Sequence, residues 1–165
     1  AAYAWMDPTG RVGRVCRELM VASQRAGVTI CMVRLTRCEM KAARLRLLPV
    51  GGTTGWAWVP GLEPPAGAIC VEAPCLDAFY ATGLDALLWR RGLTHLVLAG
   101  FGTETAVHST LRSANDRGFE CLVLEDACAD GDAGLHTAAM SCIMMSGGIF
   151  GAYGQSAHLL AALAP

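Results

Sequence analysis

The feature that most constrains this chain is the run VTICMVRL at residues 28–35, continuous in β-branched and apolar side chains and bounded by Gly27 and by charge. A strand wet on one face alternates; a run like this reads as a strand buried on both faces, which favours a parallel sheet covered by helices. Helical patterns flank it. Residues 11–26 place Val12, Val15, Cys16, Leu19, Met20 and Ala26 on one face, with Gly27 at the C-cap position.

The same alternation continues downstream. AICVE (68–72), HLVLAG (95–100) and CLVLED (121–126) are further strands, separated by helices expected over Leu84–Arg91, stopped by Gly92, and over Thr103–Arg117, capped by Thr103 and stopped by Gly118. The last third predicts a helix from Gly134 to Met145, a short edge strand in GGIFG (147–151) and a closing helix from Ser156 to Leu163. Between Thr36 and Pro65 the pattern dissolves into a long excursion centred on GGTTGWAW, with one short helix expected at 40–47. The fold class is α/β: a three-layer α/β/α sandwich with a mainly parallel sheet and right-handed crossovers. One domain spans residues 1–165, with 1–10 as an N-terminal extension.

Composition narrows the function. A 53% apolar, 16% charged chain with net charge −1 has a core to bury and no positive excess for a phosphate backbone, which argues against nucleic-acid binding. No stretch approaches the ~20 apolar residues of a membrane span, so no transmembrane segment is expected. Eight Cys occur without a CxxC pair. Cys16, Cys31, Cys70, Cys121 and Cys142 sit inside apolar runs, where free Cys behaves as a small hydrophobe; this implies a reducing compartment, cytosol or organelle matrix. The four His show no HxH or HxxxH spacing, and neither a metal nor a cofactor is expected.

Ligands of open parallel sheets collect beyond the carboxyl ends of the strands. The residues there include GFGTETAVHST, 100–110, which bends from strand to helix over Gly100 and Gly102 and aims the first helical N–H groups at the crevice. Gly100, Phe101, Gly102, Thr103 and Thr105 form this candidate anion or oxyanion turn, and Trp56 and Phe79 are candidate walls. The position opening the helix toward the crevice is Ala106, which can neither attack nor move a proton. Cys75 and Cys128 also follow strands, but neither has a His or Lys beside it. His108 reads as a helix-face residue, and the acids of EDACADGD (125–132) as loop geometry.

The stretch GLTHLVLAGFGTETAVHSTLRSANDRGFECLVLEDACAD, residues 92–130, resembles the core of the isochorismatase-like cysteine hydrolases, the superfamily of nicotinamidase, N-carbamoylsarcosine amidase and biuret hydrolase, and is most similar to the last branch. GW at 55–56, FYAT with GLDALL at 79–88 and GGIFGAYGQSAHLLAAL at 147–163 extend the resemblance over roughly residues 11–165. It implies a Cys, Lys and Asp triad. Carried over, the Cys position is Ala106, the Lys position is Ala73, and the Asp belongs to a first strand that would precede residue 1. In the fold so implied, that strand lies between the strands at 28–35 and 95–100. Its place is filled by another polypeptide segment, or the flanking strands close up, or the chain is incomplete.

The resulting expectation is a catalytically inactive relative acting as a structural or interaction subunit, with protein partners in a homo-oligomer or a hetero-complex. Tyr3 and Trp5 would pack against such a neighbour. The alternative is an amidohydrolase cleaving a small C–N bond in a biuret-like or carbamoyl substrate, inactivated or incomplete as it stands. A third reading is a binding module that keeps a pocket for a small amide or anion at 100–106.

Overall fold

In the computed structural model, which describes residues 5–36 and 57–164, strands and helices alternate in the order the apolar runs predict. The helix expected at 40–47, Tyr3 and Trp56 lie outside the described residues. The elements are α1 (Arg11–Arg25), β1 (Cys31–Leu35), β2 (Ile69–Ala73), α2 (Leu84–Arg90), β3 (His95–Phe101), a π-helical turn (Thr103–Val107) running into α3 (His108–Asn115), β4 (Glu120–Ala129), α4 (Ala133–Ile143), α5 (Met145–Gly148), β5 (Ala152–Gly154) and α6 (Ser156–Ala162). The described part of the excursion, 57–65, holds neither helix nor strand.

Side-chain alternation along β4 sorts the helices into two layers. Cys121 and Val123 pack with Leu84 and Leu88 of α2, Leu111 and Ala114 of α3, and Met140 and Ile143 of α4. Leu122 and Leu124 meet Val15, Cys16 and Leu19 of α1 and Leu159 and Leu160 of α6 on the other face. Period-two alternation in the strand therefore yields the three layers. Each sheet is parallel throughout. The starts of β1 and β2 (Val28–Ile30, Ala66–Ala68) share a depression with Arg91, which shortly precedes β3, so β3 rises in the same sense.

The strands divide into two sheets, β1–β2 and β3–β4–β5, with no ladder between β1 and β3. Of the three outcomes for the missing strand, closure of the flanking strands is therefore not what the fold adopts. The gap corrects a second expectation: the run at 28–35 is not buried on both faces. Only Cys31–Leu35 is strand, its residues are half-buried, and Val33 is 37% exposed. Across the gap Val97 is 50% exposed, although β3 lies inside an α/β fold.

Three local expectations also fail for identifiable reasons. Thr103 does not cap a helix: Gly102 is the cap residue, in the left-handed region, and Thr103 bonds elsewhere. GGIFG is not the edge strand, because Ser146, Gly147 and Gly148 all take positive φ and turn the chain; Ala152–Gly154 pairs instead. Cys70 and Cys142 are exposed rather than core, since each falls on the outward phase of its element.

Candidate functional site

The site region is set by connectivity. The chain steps from β1 outward to β2, returns over α2 to β3, and continues to β4 and β5, so its direction reverses at the gap. Such a reversal opens a crevice outside the carboxyl ends of the neighbouring strands. The residues at those ends are Thr36, Ala73, Gly100–Gly102 and Ala129.

The glycine turn is built tightly. Gly100 (φ 138°) and Gly102 (φ 80°) take conformations that L side chains avoid. A Cβ at Gly102 would meet Thr105 Oγ1 at 2.6 Å, so that close approach also requires glycine. The Gly102 N–H donates to the Ala129 carbonyl at 2.8 Å, continuing the β3–β4 ladder, while its own carbonyl accepts from Val107 N–H at 3.0 Å to close the wide π turn. Insertions of this kind in a helix start recur at functional sites. Ala106 is half-buried in the turn.

Around it, polar groups are committed to holding the turn. Thr103, 1% exposed, shares a 2.9 Å hydrogen bond with His136 Nδ1. Asp130 accepts from Glu104 N–H at 3.1 Å and from Gly131 N–H at 2.7 Å, and Asp132 caps α4 through Gly134 and Leu135 N–H. The acidic run thus fixes loop geometry. Burial, and then the Asp130 charge, push the Glu104 carboxyl above its ordinary range. Thr105 Oγ1 donates to the Gly102 carbonyl at 3.3 Å. The 33-residue Thr103–His136 separation carries no signal in the sequence, which is why spacing alone misses it.

Other candidates fall elsewhere. Phe79 is 4% exposed and does not line the glycine turn; it stacks on Phe119 at 5.8 Å beneath the Arg117 guanidinium. Its segment is pinned by Asp77, which accepts from Phe79 N–H at 2.8 Å and from Ser113 Oγ at 2.7 Å. Ala73 has no exposed surface, and its carbonyl accepts from both Thr36 N–H and Oγ1. Cys128 is buried beside Gly100, and burial pushes its thiol up to about 12, which keeps it protonated and unreactive. Among residues 100–106, then, the turn is held by its own hydrogen bonds and carries no activated nucleophile.

His108 begins α3. Its Nε2 is enclosed without a hydrogen-bond partner, and burial, then the Arg112 charge, lower its pKa below 6.5. The folded state holds fewer protons here than the unfolded chain, so its contribution is full above pH ~6.5 and declines as pH falls through the unfolded value toward the folded one. A His108→Gln variant is expected to flatten the acid limb of urea midpoint against pH between about pH 7 and 5. An unchanged limb would mean that His108 does not set it.

These features define a class: a parallel α/β/α domain with a glycine turn at its crevice. The chain belongs to the isochorismatase domain family, whose model matches residues 9–151. It is 40% identical over 93 residues to the ureidoacrylate amidohydrolase RutB of Methylobacterium radiotolerans, an alignment covering 56% of this chain and 36% of that protein. The chain thus matches little more than a third of that curated relative's length. An isochorismatase family protein from Burkholderia thailandensis is similar at 27% identity with a TM-score of 0.79, covering 93% of this chain and 83% of that one. A cysteine hydrolase from Pseudomonas syringae shares the fold at TM-score 0.86 and 17% identity, over 96% and 82% of the two chains.

Proposed function

We propose that this chain is the core of an amidohydrolase-type domain that takes a small ureido or carbamoyl compound beyond the carboxyl ends of β3 and β4. As its sequence stands, it binds such a compound rather than cleaving it. The observation that carries the reading is the glycine turn itself: a cradle closed by Gly102 and braced by Asp130 and His136, with a methyl group, Ala106, where a nucleophile would act. The similarity to an amidohydrolase of ureidoacrylate supports the substrate class.

A second reading, a non-catalytic structural subunit, is favoured by the two methyl groups at Ala73 and Ala106 and by exposed Leu135, Met144, Met145 and Ile149 on and beside α4. Thermal unfolding with biuret, ureidoacrylate and N-carbamoyl amino acids separates the two. Binding is expected to raise Tm by about 5–10 °C at a hundredfold excess over Kd, with no product released. A flat response across the series would remove the binding reading and leave the structural one.

A further inference from the structure

We propose that the outward face of α4, together with Met145, Ile149 and Tyr153 beside it, is a two-fold contact between two copies of this chain. The inference stands on surface chemistry and is independent of what the glycine turn binds.

Charge supplies the first argument. Asp132 is the last charged side chain: residues 133–165 contain no Asp, Glu, Lys or Arg. An ordinary surface helix carries charge on its open side, as α1 does at Arg14, Glu18 and Arg25. The helix α4 buries Ala139, Met140 and Ile143 on its inner side and exposes Gly134, Leu135, Thr137, Ala138, Ser141 and Cys142 on its outer one. A helix without a charged side belongs in an interior, so this one calls for a cover.

Area supplies the second. Leu135, Met144, Met145, Ile149 and Tyr153 are between 40% and 58% exposed. The short α5 follows α4 directly, and Tyr153 pairs with Val123, whose side chain packs on the α4 face of the sheet, so these residues adjoin one surface. Together they leave on the order of 500 Å² open, as large as the biggest apolar patch on an ordinary monomer. With the small positions between them, the face approaches the ~800 Å² that each partner buries in a stable complex.

The same chemistry selects the partner. An occupant bearing charge would leave that charge buried and unpaired, so the partner's face is apolar and uncharged. This chain carries such a face itself, and a two-fold contact sets one patch against its own copy. Shape agrees with this. Helical phase puts Gly134, Ala138 and Ser141 at the centre of the outward side and Leu135 and Met144 at its margins, so two α4 helices can approach along their small centres while the larger side chains close around them. A net charge of −1 sets up little repulsion between copies.

Sedimentation of the full chain at about 10 μM is expected to show a dimer, since interfaces of this size associate at micromolar concentrations or below. Ala138→Glu and Met144→Lys, each adding charge at an already exposed position, should each weaken the dimer at least ~100-fold with unchanged circular dichroism. Val21→Glu, on the open side of α1, should leave it intact. Cys142 and Cys70 are both exposed in the single chain, so iodoacetamide gives an internal comparison in the unsubstituted protein. From dilute to concentrated protein, the rate at Cys142 relative to Cys70 should fall about 10-fold, because alkylation requires access. A monomer at about 100 μM would overturn the proposal, that being weaker than an interface of this size allows. So would a dimer that both charged variants leave intact, which would place the contact elsewhere. Protection of Cys142 that does not change with concentration would overturn it as well, since the cover would then come from within one chain.

Discussion

Phe119→Ala is expected to destabilise the domain by about 3–5 kcal/mol, the range for deleting a fully buried aromatic side chain. Phe119 is 2% exposed and immediately precedes β4. Its ring lies 5.8 Å from Phe79 and 4.9 Å from Trp89, so one side chain joins the segment after β2, the end of α2 and the start of β4. Arg117 lies over Phe79 and donates to the Ser113 carbonyl, while Ser113 donates to Asp77; collapse around the hole would have to break this polar clamp. A site that cannot relax keeps its cavity, which places the cost toward the upper end of the range. Domains of this size hold about 5–15 kcal/mol in total. The urea midpoint should fall accordingly at unchanged slope, while Phe119→Leu should lose less than half as much. A loss below about 1 kcal/mol in the alanine variant would show that this cluster does not join the three segments.

How much of this was legible in the sequence depends on the range of the interaction. Strand and helix order follows from periodicity, a local property, and Gly27, Gly92 and Gly118 end their helices where the pattern predicts. The place of the gap followed from the family resemblance, and the two-sheet arrangement agrees with it. What failed were choices made by distant partners. Thr103 looks like a helix cap in isolation, yet His136 claims its hydroxyl. Phe79 follows a strand and reads as a cleft wall, yet Phe119 and Arg117 draw it into the core. Gly147 and Gly148 could enter an extended strand, but their positive φ turns the chain and shifts pairing to Ala152–Gly154. In each case a partner more than 30 residues away, or a backbone conformation only glycine adopts readily, overrode the local pattern.

The candidate site yields the second large effect, because position 106 can be given the atom it lacks. Ala106→Cys is expected to create a thiol that iodoacetamide alkylates about 100-fold faster than Cys128 at pH 7.5. The native Cys128 thiol is pushed up to about 12, leaving roughly 3 thiolates in 100,000 at that pH. A half-buried thiol at a helix start has no such penalty, and with an ordinary pKa of about 8.5 it would hold roughly one thiolate in ten. The greater intrinsic nucleophilicity of the more basic thiolate returns part of that gap, leaving about two orders of magnitude before access is counted. Access widens the contrast, since Cys128 is 3% exposed. Mass spectrometry of the modified peptides measures both sites in one sample. If the new thiol reacts as slowly as Cys128, position 106 does not open onto the crevice, and the ligand site proposed beside it loses its location. If it reacts at the expected rate but turns over no ureido compound, the missing groups are an activating carboxylate and a cation. The family resemblance assigns the cation to the buried position of Ala73, and the carboxylate to a strand that would precede residue 1.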